Sequence, residues 1–204
     1  LGEEDGLRGS GQTSPDVAFL LKSEGKTGVV LVECKYSEHS FYACSGRKKT
    51  HGSGKEVNPD PSRCLSRTLF SNLQQHCHQF KWGRRYWEHL TLADKSRETL
   101  QACPASRAGY QLLRQHALAE GVAKSGRYHP VVSAVAFDNR NTGLMRSMRS
   151  CGVDDIATQW APLFVGAARF ISWSHQDWVG FVREHGEERT VGWWLAYMTN
   201  RYGL

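Results

Sequence analysis

The stretch from Ser14 to Glu38, SPDVAFLLKSEGKTGVVLVECKYSE, decides the fold of this chain. It contains two short runs of β-forming apolar residues, 17–21 and 29–32, separated by a polar segment with two glycines. This pattern predicts two antiparallel strands joined by a hairpin turn. Pro15 suits the entry to the first strand, because proline has no N–H to contribute to a ladder of hydrogen bonds.

The turn determines which residues of the two strands face each other. If it is centred between Glu24 and Gly25, it places Asp16 opposite Glu33. Directly opposed residues have Cβ atoms only about 5 Å apart, which lets two carboxylates share one cation. Two ionised carboxylates this close repel each other unless a cation or a proton lies between them, and oxygen ligands suit Mg²⁺ or Mn²⁺. The backbone carbonyl of Cys34 is a candidate third ligand.

Lys35 completes this group of charged residues. Side chains alternate along a strand, so Glu33 and Lys35 share one face while Cys34 points to the other. Hydrolysis of a phosphodiester needs a metal that activates water and a cation that stabilises developing charge, and Lys35 has the chemistry for the second role. The alternative interpretation is a surface hairpin with a cross-strand salt bridge.

The string Pro15-Asp16, followed across the hairpin by Glu33-Cys34-Lys35, resembles the PD-(D/E)xK nuclease superfamily. The resemblance implies an α/β fold: a restriction-endonuclease-like core whose mixed central sheet is flanked by helices. It also implies that Asp16 and Glu33 bind the metal and that Lys35 is the catalytic lysine. Members often carry a further acidic ligand on a helix before the hairpin, where this chain offers Glu3, Glu4 and Asp5.

Length and charge fit this resemblance. We expect a single domain over residues 1–204, with a core at about 1–141 and accessory α/β elements at about 142–204, because 204 residues with 40% hydrophobic content can fill one core. The formal charge of +6 favours a polyanionic partner.

A basic segment follows the second predicted strand. Its glycines and prolines are incompatible with a regular element, so the segment reads as a loop. We predict that the loop contacts nucleic-acid phosphates, and the alternative is an ordinary solvated loop. The candidate phosphate-binding residues are Arg47, Lys48, Lys49 and Lys55.

Two helices are predicted after this loop. Apolar residues at spacings of three and four predict an amphipathic helix within 62–90, and a second helix over 107–121 that ends at Gly121. By the same resemblance, Gln111 or Gln115 on the second helix would orient Lys35, the attacking water or the scissile phosphate. The alternative is that both glutamines face solvent.

The rest of the chain is predicted to alternate between strands and helices. A β-rich run at 129–137 reads as a core strand that leaves into a polar loop. The accessory elements expected after it are a short helix capped by Asp154 or Asp155, a strand at 169–173, a helix begun by a Ser174–Asp177 capping box and a last helix at 191–202.

Cysteine usage and hydropathy bear on the compartment. Six cysteines occur without a CxxC pair, which indicates neither a zinc site nor a disulfide framework. No apolar run reaches the length of about 18 residues that a membrane span needs, and no signal peptide is recognisable. We therefore expect a cytoplasmic protein with no membrane partner.

These observations predict a metal-dependent nuclease that hydrolyses phosphodiester bonds with Mg²⁺ or Mn²⁺. The family resemblance favours a DNA endonuclease of restriction, defence or repair type acting on double-stranded DNA. A homodimer would be natural for cutting both strands. The residues do not distinguish DNA from RNA as the substrate, or endonuclease from exonuclease action. The alternatives are a catalytically degenerate nucleic-acid-binding module of the same fold, and a small-molecule hydrolase or structural interaction protein.

Overall fold

The predicted hairpin forms one side of the central sheet. In a computed structural model, which describes residues 13–47 and 56–204, β1 (Val17–Ser23) and β2 (Lys26–Lys35) pair antiparallel in the predicted register. Both residues of the Glu24-Gly25 turn have positive φ angles, 49° and 77°. That combination matches the twist of two-residue hairpins. The hairpin prediction is therefore confirmed, and both strands extend beyond the predicted apolar runs.

Two parallel strands complete the sheet. β4 (Val131–Phe137) pairs with β2, and β6 (Arg169–Ser174) pairs with β4, so the strand order is β1-β2-β4-β6. A separate two-stranded sheet joins β3 (Thr91–Leu92) to β5 (Phe164–Val165). The predicted fold class, a mixed central sheet flanked by helices in an α/β protein, is confirmed. The strand near residue 170, expected among the accessory elements, is instead the fourth strand of the central sheet.

Helices fill the connections between the strands. Those of the described residues are α1 (Leu73–His76), α2 (His78–Lys81), α3 (Tyr86–His89), α4 (Asp94–Thr99), α5 (Tyr110–Lys124), α6 (Thr142–Arg149), α7 (Ile156–Gln159), α8 (His175–His185) and α9 (Glu188–Tyr202).

The long helix α5 covers one face of the sheet. Leu118 and Ala119 pack on Val29, Leu31 and Val131 of the strands beneath. The main core lies on this same side of the sheet, where α5 meets the irregular helical region between β2 and α5. The helix was predicted correctly, but it continues through Gly121 to Lys124 because packing against the sheet extends beyond the glycine.

The prediction of one amphipathic helix within 62–90 is wrong. The segment is broken into short helical turns by extended residues at Ser66, Asn72 and Cys77. The side chains of Ser66 and Asn72 accept hydrogen bonds from the next main-chain N–H groups, those of Thr68 and Gln75. Polar side chains that bond to the backbone in this way compete with a continuous helix.

The carboxyl-terminal elements follow the sequence closely. Asp155 caps α7, and Ser174 and Asp177 form the predicted capping box of α8. The last helix, α9, ends at Tyr202 and is followed by Gly203, whose φ of 63° is left-handed. No helix in the described ranges is both long enough and apolar enough to cross a membrane.

Candidate active site

The hairpin holds Asp16 at the end of β2. Asp16 directly precedes β1, and its N–H donates to the carbonyl of Val32 at 2.9 Å. The N–H of Cys34 donates to Asp16 Oδ2 at 2.8 Å. These two hydrogen bonds fix the carboxylate beside the 32–34 segment, on which Glu33 also lies. The predicted proximity of Asp16 and Glu33 is thus built from the main chain.

Glu33 and Lys35 form a buried ion pair. Lys35 Nζ lies 2.8 Å from Glu33 Oε1, and the two residues are only 2% and 5% exposed. Glu38 Oε1 lies 3.6 Å from the same ammonium group. The rings of Phe41 and Tyr42 each have their centroid 5.9 Å from Lys35 Nζ. A buried charge is tolerated only when it is paired in this way, so the pair reflects a constraint stronger than that on a surface salt bridge.

Burial and neighbouring charges act on both members of the pair. Burial raises the pKa of Glu33, the hydrogen bond and charge of Lys35 oppose this, and the Asp16 carboxylate raises it further. Burial by itself would lower the pKa of Lys35, but the carboxylates of Glu33, Glu38 and Asp16 raise it overall. Lys35 is therefore a cation throughout the neutral range. Glu33 retains unfavourable desolvation that an additional cation would relieve.

A polar cleft opens beside Glu33. Its volume is about 120 Å³, and α5 forms one wall. Arg114 on that wall lies near enough for its charge to lower the pKa of Glu33, against the larger effect of burial. The lining residues are Thr13, Ser14, Glu33, Gln111, Arg114 and Gln115.

Gln115 is tied to the sheet by its amide nitrogen. Nε2 donates to the carbonyls of Leu31 at 2.9 Å and Ala134 at 2.7 Å, which joins α5 to β2 and β4. Carbonyls only accept hydrogen bonds, so this contact fixes the orientation of the amide. The Oε1 atoms of Gln115 and Gln111 are both buried, and neither has a hydrogen-bond partner among the described residues. Two residues of this cleft thus carry an acceptor that no described group satisfies.

The predicted residues are thus only partly assembled as expected. Glu33, Gln111 and Gln115 line one cleft, Asp16 lies beside the 32–34 segment that carries Glu33, and Lys35 joins this group through Glu33. Neither glutamine hydrogen-bonds to Lys35 in the described part of the chain, so orientation of Lys35 falls to Glu33 and Glu38 instead. Sequence reasoning assigned no role to Glu38 or Arg114. The signal in the sequence for Glu38 was its position three residues after Lys35, which is near enough for an ion pair.

The carboxylates fit a hard divalent cation. Within residues 13–47 and 56–204, no hydrogen bond reaches Asp16 Oδ1 or Glu33 Oε2, while their other oxygens are engaged by Cys34 and Lys35. The described residues contain no cluster of three or more His, Cys, Asp or Glu side chains able to hold a metal. Mg²⁺ keeps several waters and needs only one or two carboxylates, so two are sufficient. The predicted candidates Glu3, Glu4 and Asp5 lie outside the described residues.

The predicted phosphate-binding loop is described only at its start. Arg47 Nη1 donates to the carbonyl of Ser106 at 3.1 Å, and the residue is partly buried. Its guanidinium group therefore bonds within the protein at the start of this segment. Lys48, Lys49 and Lys55 lie outside the described residues.

Comparison with known proteins identifies the family. The model of the family described as Restriction Endonuclease associating with ARP matches residues 2–203. No curated protein and no solved structure gives a significant match to this chain. The family indicates a nuclease-related role and an interaction with nucleic acid. With nearly the whole length matched and a restriction-endonuclease-like sheet in place, the chain belongs to the family Restriction Endonuclease associating with ARP.

Proposed function

We propose that this chain is a metal-dependent nuclease of the PD-(D/E)xK type that hydrolyses phosphodiester bonds in DNA. The observation that carries the proposal is the buried Glu33–Lys35 ion pair beside Asp16, in a member of a restriction-endonuclease family. Charges are costly to bury, and a surface hairpin gains nothing from burying them. A reaction that creates negative charge on a phosphoryl group is accelerated by a buried positive charge and a bound cation beside it.

Asp16 and Glu33 are the side chains that would hold Mg²⁺ or Mn²⁺, with the Cys34 carbonyl as the proposed third ligand. The bound ion supplies polarisation of the phosphoryl oxygen and a water of lowered pKa. The ammonium group of Lys35 is held in place by Glu33 at 2.8 Å and by Glu38 at 3.6 Å. Its positive charge would stabilise the negative charge that develops on the phosphoryl group.

The wall of α5 would position the other reactants. The buried Oε1 atoms of Gln111 and Gln115 accept hydrogen bonds from a water in the cleft and so orient it. The Arg114 guanidinium on the same wall is suited to a phosphate oxygen, because its N–H groups match the geometry of phosphate. We propose Gln111 and Gln115 as positioning residues on this basis.

The substrate and setting follow from the same family. We propose cleavage within double-stranded DNA, of restriction, defence or repair type, with two copies of the chain cutting the two strands. Six unpaired cysteine thiols support a reducing compartment, for which we propose the cytoplasm.

The test is cleavage of plasmid and linear duplex DNA in Mg²⁺, Mn²⁺ or EDTA by the wild-type chain, Glu33→Gln and Glu24→Gln. Glu24 lies exposed in the turn of the same hairpin and is the matched control. We expect metal-dependent cleavage that Glu33→Gln reduces by about 10³-fold and Glu24→Gln leaves unchanged. If the wild-type chain bound DNA in a salt-sensitive way but did not cleave it, the proposed nuclease activity would be contradicted. The alternative of a nucleic-acid-binding module would then be favoured.

A further inference from the structure

A second pocket lies beyond the carboxyl end of β2. It has a volume of about 350 Å³, within the range of sites for small organic groups. None of its lining residues lines the cleft beside Glu33, and none is acidic or a lysine or arginine. The lining residues are Tyr36, His175, Tyr197, Met198, Tyr202 and Leu204.

The pocket lies where parallel strands end. Tyr36 directly follows β2 and the catalytic candidate Lys35, and His175 directly follows β6. The carboxyl edge of parallel strands is the usual place for ligands in α/β sheets. Tyr36 is three positions beyond Glu33, a separation of about 10 Å along an extended strand. The pocket therefore lies next, along the chain, to the residues proposed for catalysis.

Aromatic rings form the walls. Tyr36 meets Tyr202 edge to face at a centroid distance of 5.1 Å, and Tyr197 meets Tyr202 at 6.0 Å. The imidazole of His175 lies 6.1 Å from the Tyr36 ring. Burial lowers the pKa of His175, so this ring is neutral at pH 7 and both donates and accepts hydrogen bonds.

Arg140 fastens this arrangement to the sheet. Its Nη2 donates to the carbonyl of Tyr202 at 2.9 Å and pairs with Asp138, the residue after β4, at 2.6 Å. The hydroxyl of Tyr36 also donates to the carbonyl of Tyr202 at 3.4 Å. The walls are therefore held in place by contacts within the protein, which reduces the cost of ordering them around a ligand.

We propose that this pocket receives an unstacked nucleobase of the substrate strand. Uncharged aromatic walls favour a planar aromatic ligand over a phosphate, and tyrosine hydroxyls with a neutral imidazole can hydrogen-bond to a base edge. The inference rests on the proposed function in that the ligand belongs to nucleic acid. Extracting a base costs least when it is already unpaired, so the favoured substrate is a DNA duplex that carries an unpaired segment or end near the cleavage site.

The experiment measures binding by the uncleaving Glu33→Gln chain to a short single-stranded oligonucleotide containing 2-aminopurine. Fluorescence anisotropy gives the affinity, and 2-aminopurine emission reports stacking. Because stacking on one aromatic side chain strengthens single-strand binding, Tyr197→Ala should weaken the affinity by about tenfold and restore emission. Tyr197→Phe should keep both. Trp193→Ala is the control, since Trp193 lies on the same helix, is 72% exposed and does not line the pocket.

Equal affinities for Tyr197→Ala and the parent chain, or an equal loss with Trp193→Ala, would overturn the proposal. The proposal would also be overturned if the bound oligonucleotide showed the same 2-aminopurine emission as the free oligonucleotide. These readouts need no cleavage. Failure of the pocket is therefore distinct from failure of the nuclease, which is judged on the wild-type chain with Mg²⁺.

Discussion

The two faces of the central sheet differ in what the same strands place on them. The face beneath α5 carries Glu33 and Lys35 in a protein interior. The opposite face of β2 and β4 carries small apolar side chains, Val30, Val32, Val132, Ala134 and Ala136. At its margins, Phe19 and Ile171 are 44% and 45% exposed. Among the described residues of the sheet, only the α5 face therefore combines burial with charge, and that combination is what supports the proposed active site.

This contrast follows from the alternation of side chains along a strand. Glu33 and Lys35 are two residues apart, so they share the α5 face, whereas Val32 and Cys34 point to the other. The cost of burying two charges is offset by their mutual hydrogen bond and by Glu38. The opposite face has no such cost, because its side chains are apolar.

The largest expected difference between the faces is in catalysis. Lys35→Met should lower the rate of Mg²⁺-dependent DNA cleavage by about 10²–10³-fold, because it removes a fixed positive charge near the reacting phosphate. Ile171→Thr on the opposite face should change the rate by less than about twofold. Single-turnover cleavage rates at saturating metal measure both. A comparable loss in the two variants would remove the distinction between the faces.

The second difference is in stability. Leu113 is 2% exposed in the core on the α5 side, so Leu113→Ala should lower the free energy of unfolding by about 2–5 kcal/mol. Phe19→Ala removes a larger side chain, but nearly half of its surface is already in water and no cavity is enclosed, so the loss should be smaller. Urea unfolding of both variants provides the comparison. Equal losses would mean that the opposite face is as well packed as the α5 face.

The smallest expected effect is a shift in pH dependence. In the proposed site the metal would bind the ionised Glu33 carboxylate. Burial raises the pKa of Glu33 above its ordinary value of 4.5, so Mn²⁺ affinity should fall on acidification with a midpoint above pH 4.5. Lys35 lowers this pKa, so Lys35→Met should move the midpoint to higher pH. Mn²⁺ titrations followed by electron paramagnetic resonance measure both midpoints, with Glu24→Gln as the control. A midpoint that Lys35→Met leaves in place would show that the pair does not tune the carboxylate.

Much of the hairpin and its charged residues was predictable because the signals are local. The Glu24-Gly25 turn sets the register, and alternation sets the shared face of Glu33 and Lys35. The capping box at Ser174 is likewise contained within four residues. Such patterns depend on the chain only over one turn or one strand, so no knowledge of packing is needed to read them.

Prediction failed where the outcome depended on competition between local bonds and packing. The periodicity within 62–90 indicated one helix, yet Ser66 and Asn72 bond to nearby main chain and break it into short turns. The strand β6 was recognised as a strand, but its place beside β4 was not. Strand order depends on which surfaces pack together, and neighbouring residues carry little information about it.

The sequence by itself determined the hairpin, its register and the common face of Glu33 and Lys35, since a period of two residues and a two-residue turn are properties of a short segment. The tertiary structure alone decided that this face is buried, that Glu38 and Arg114 approach it, and that Gln115 bonds to Leu31 from 84 residues away. Contacts between residues so distant in the chain form only when the whole core is packed, because their geometry is set by every element between them.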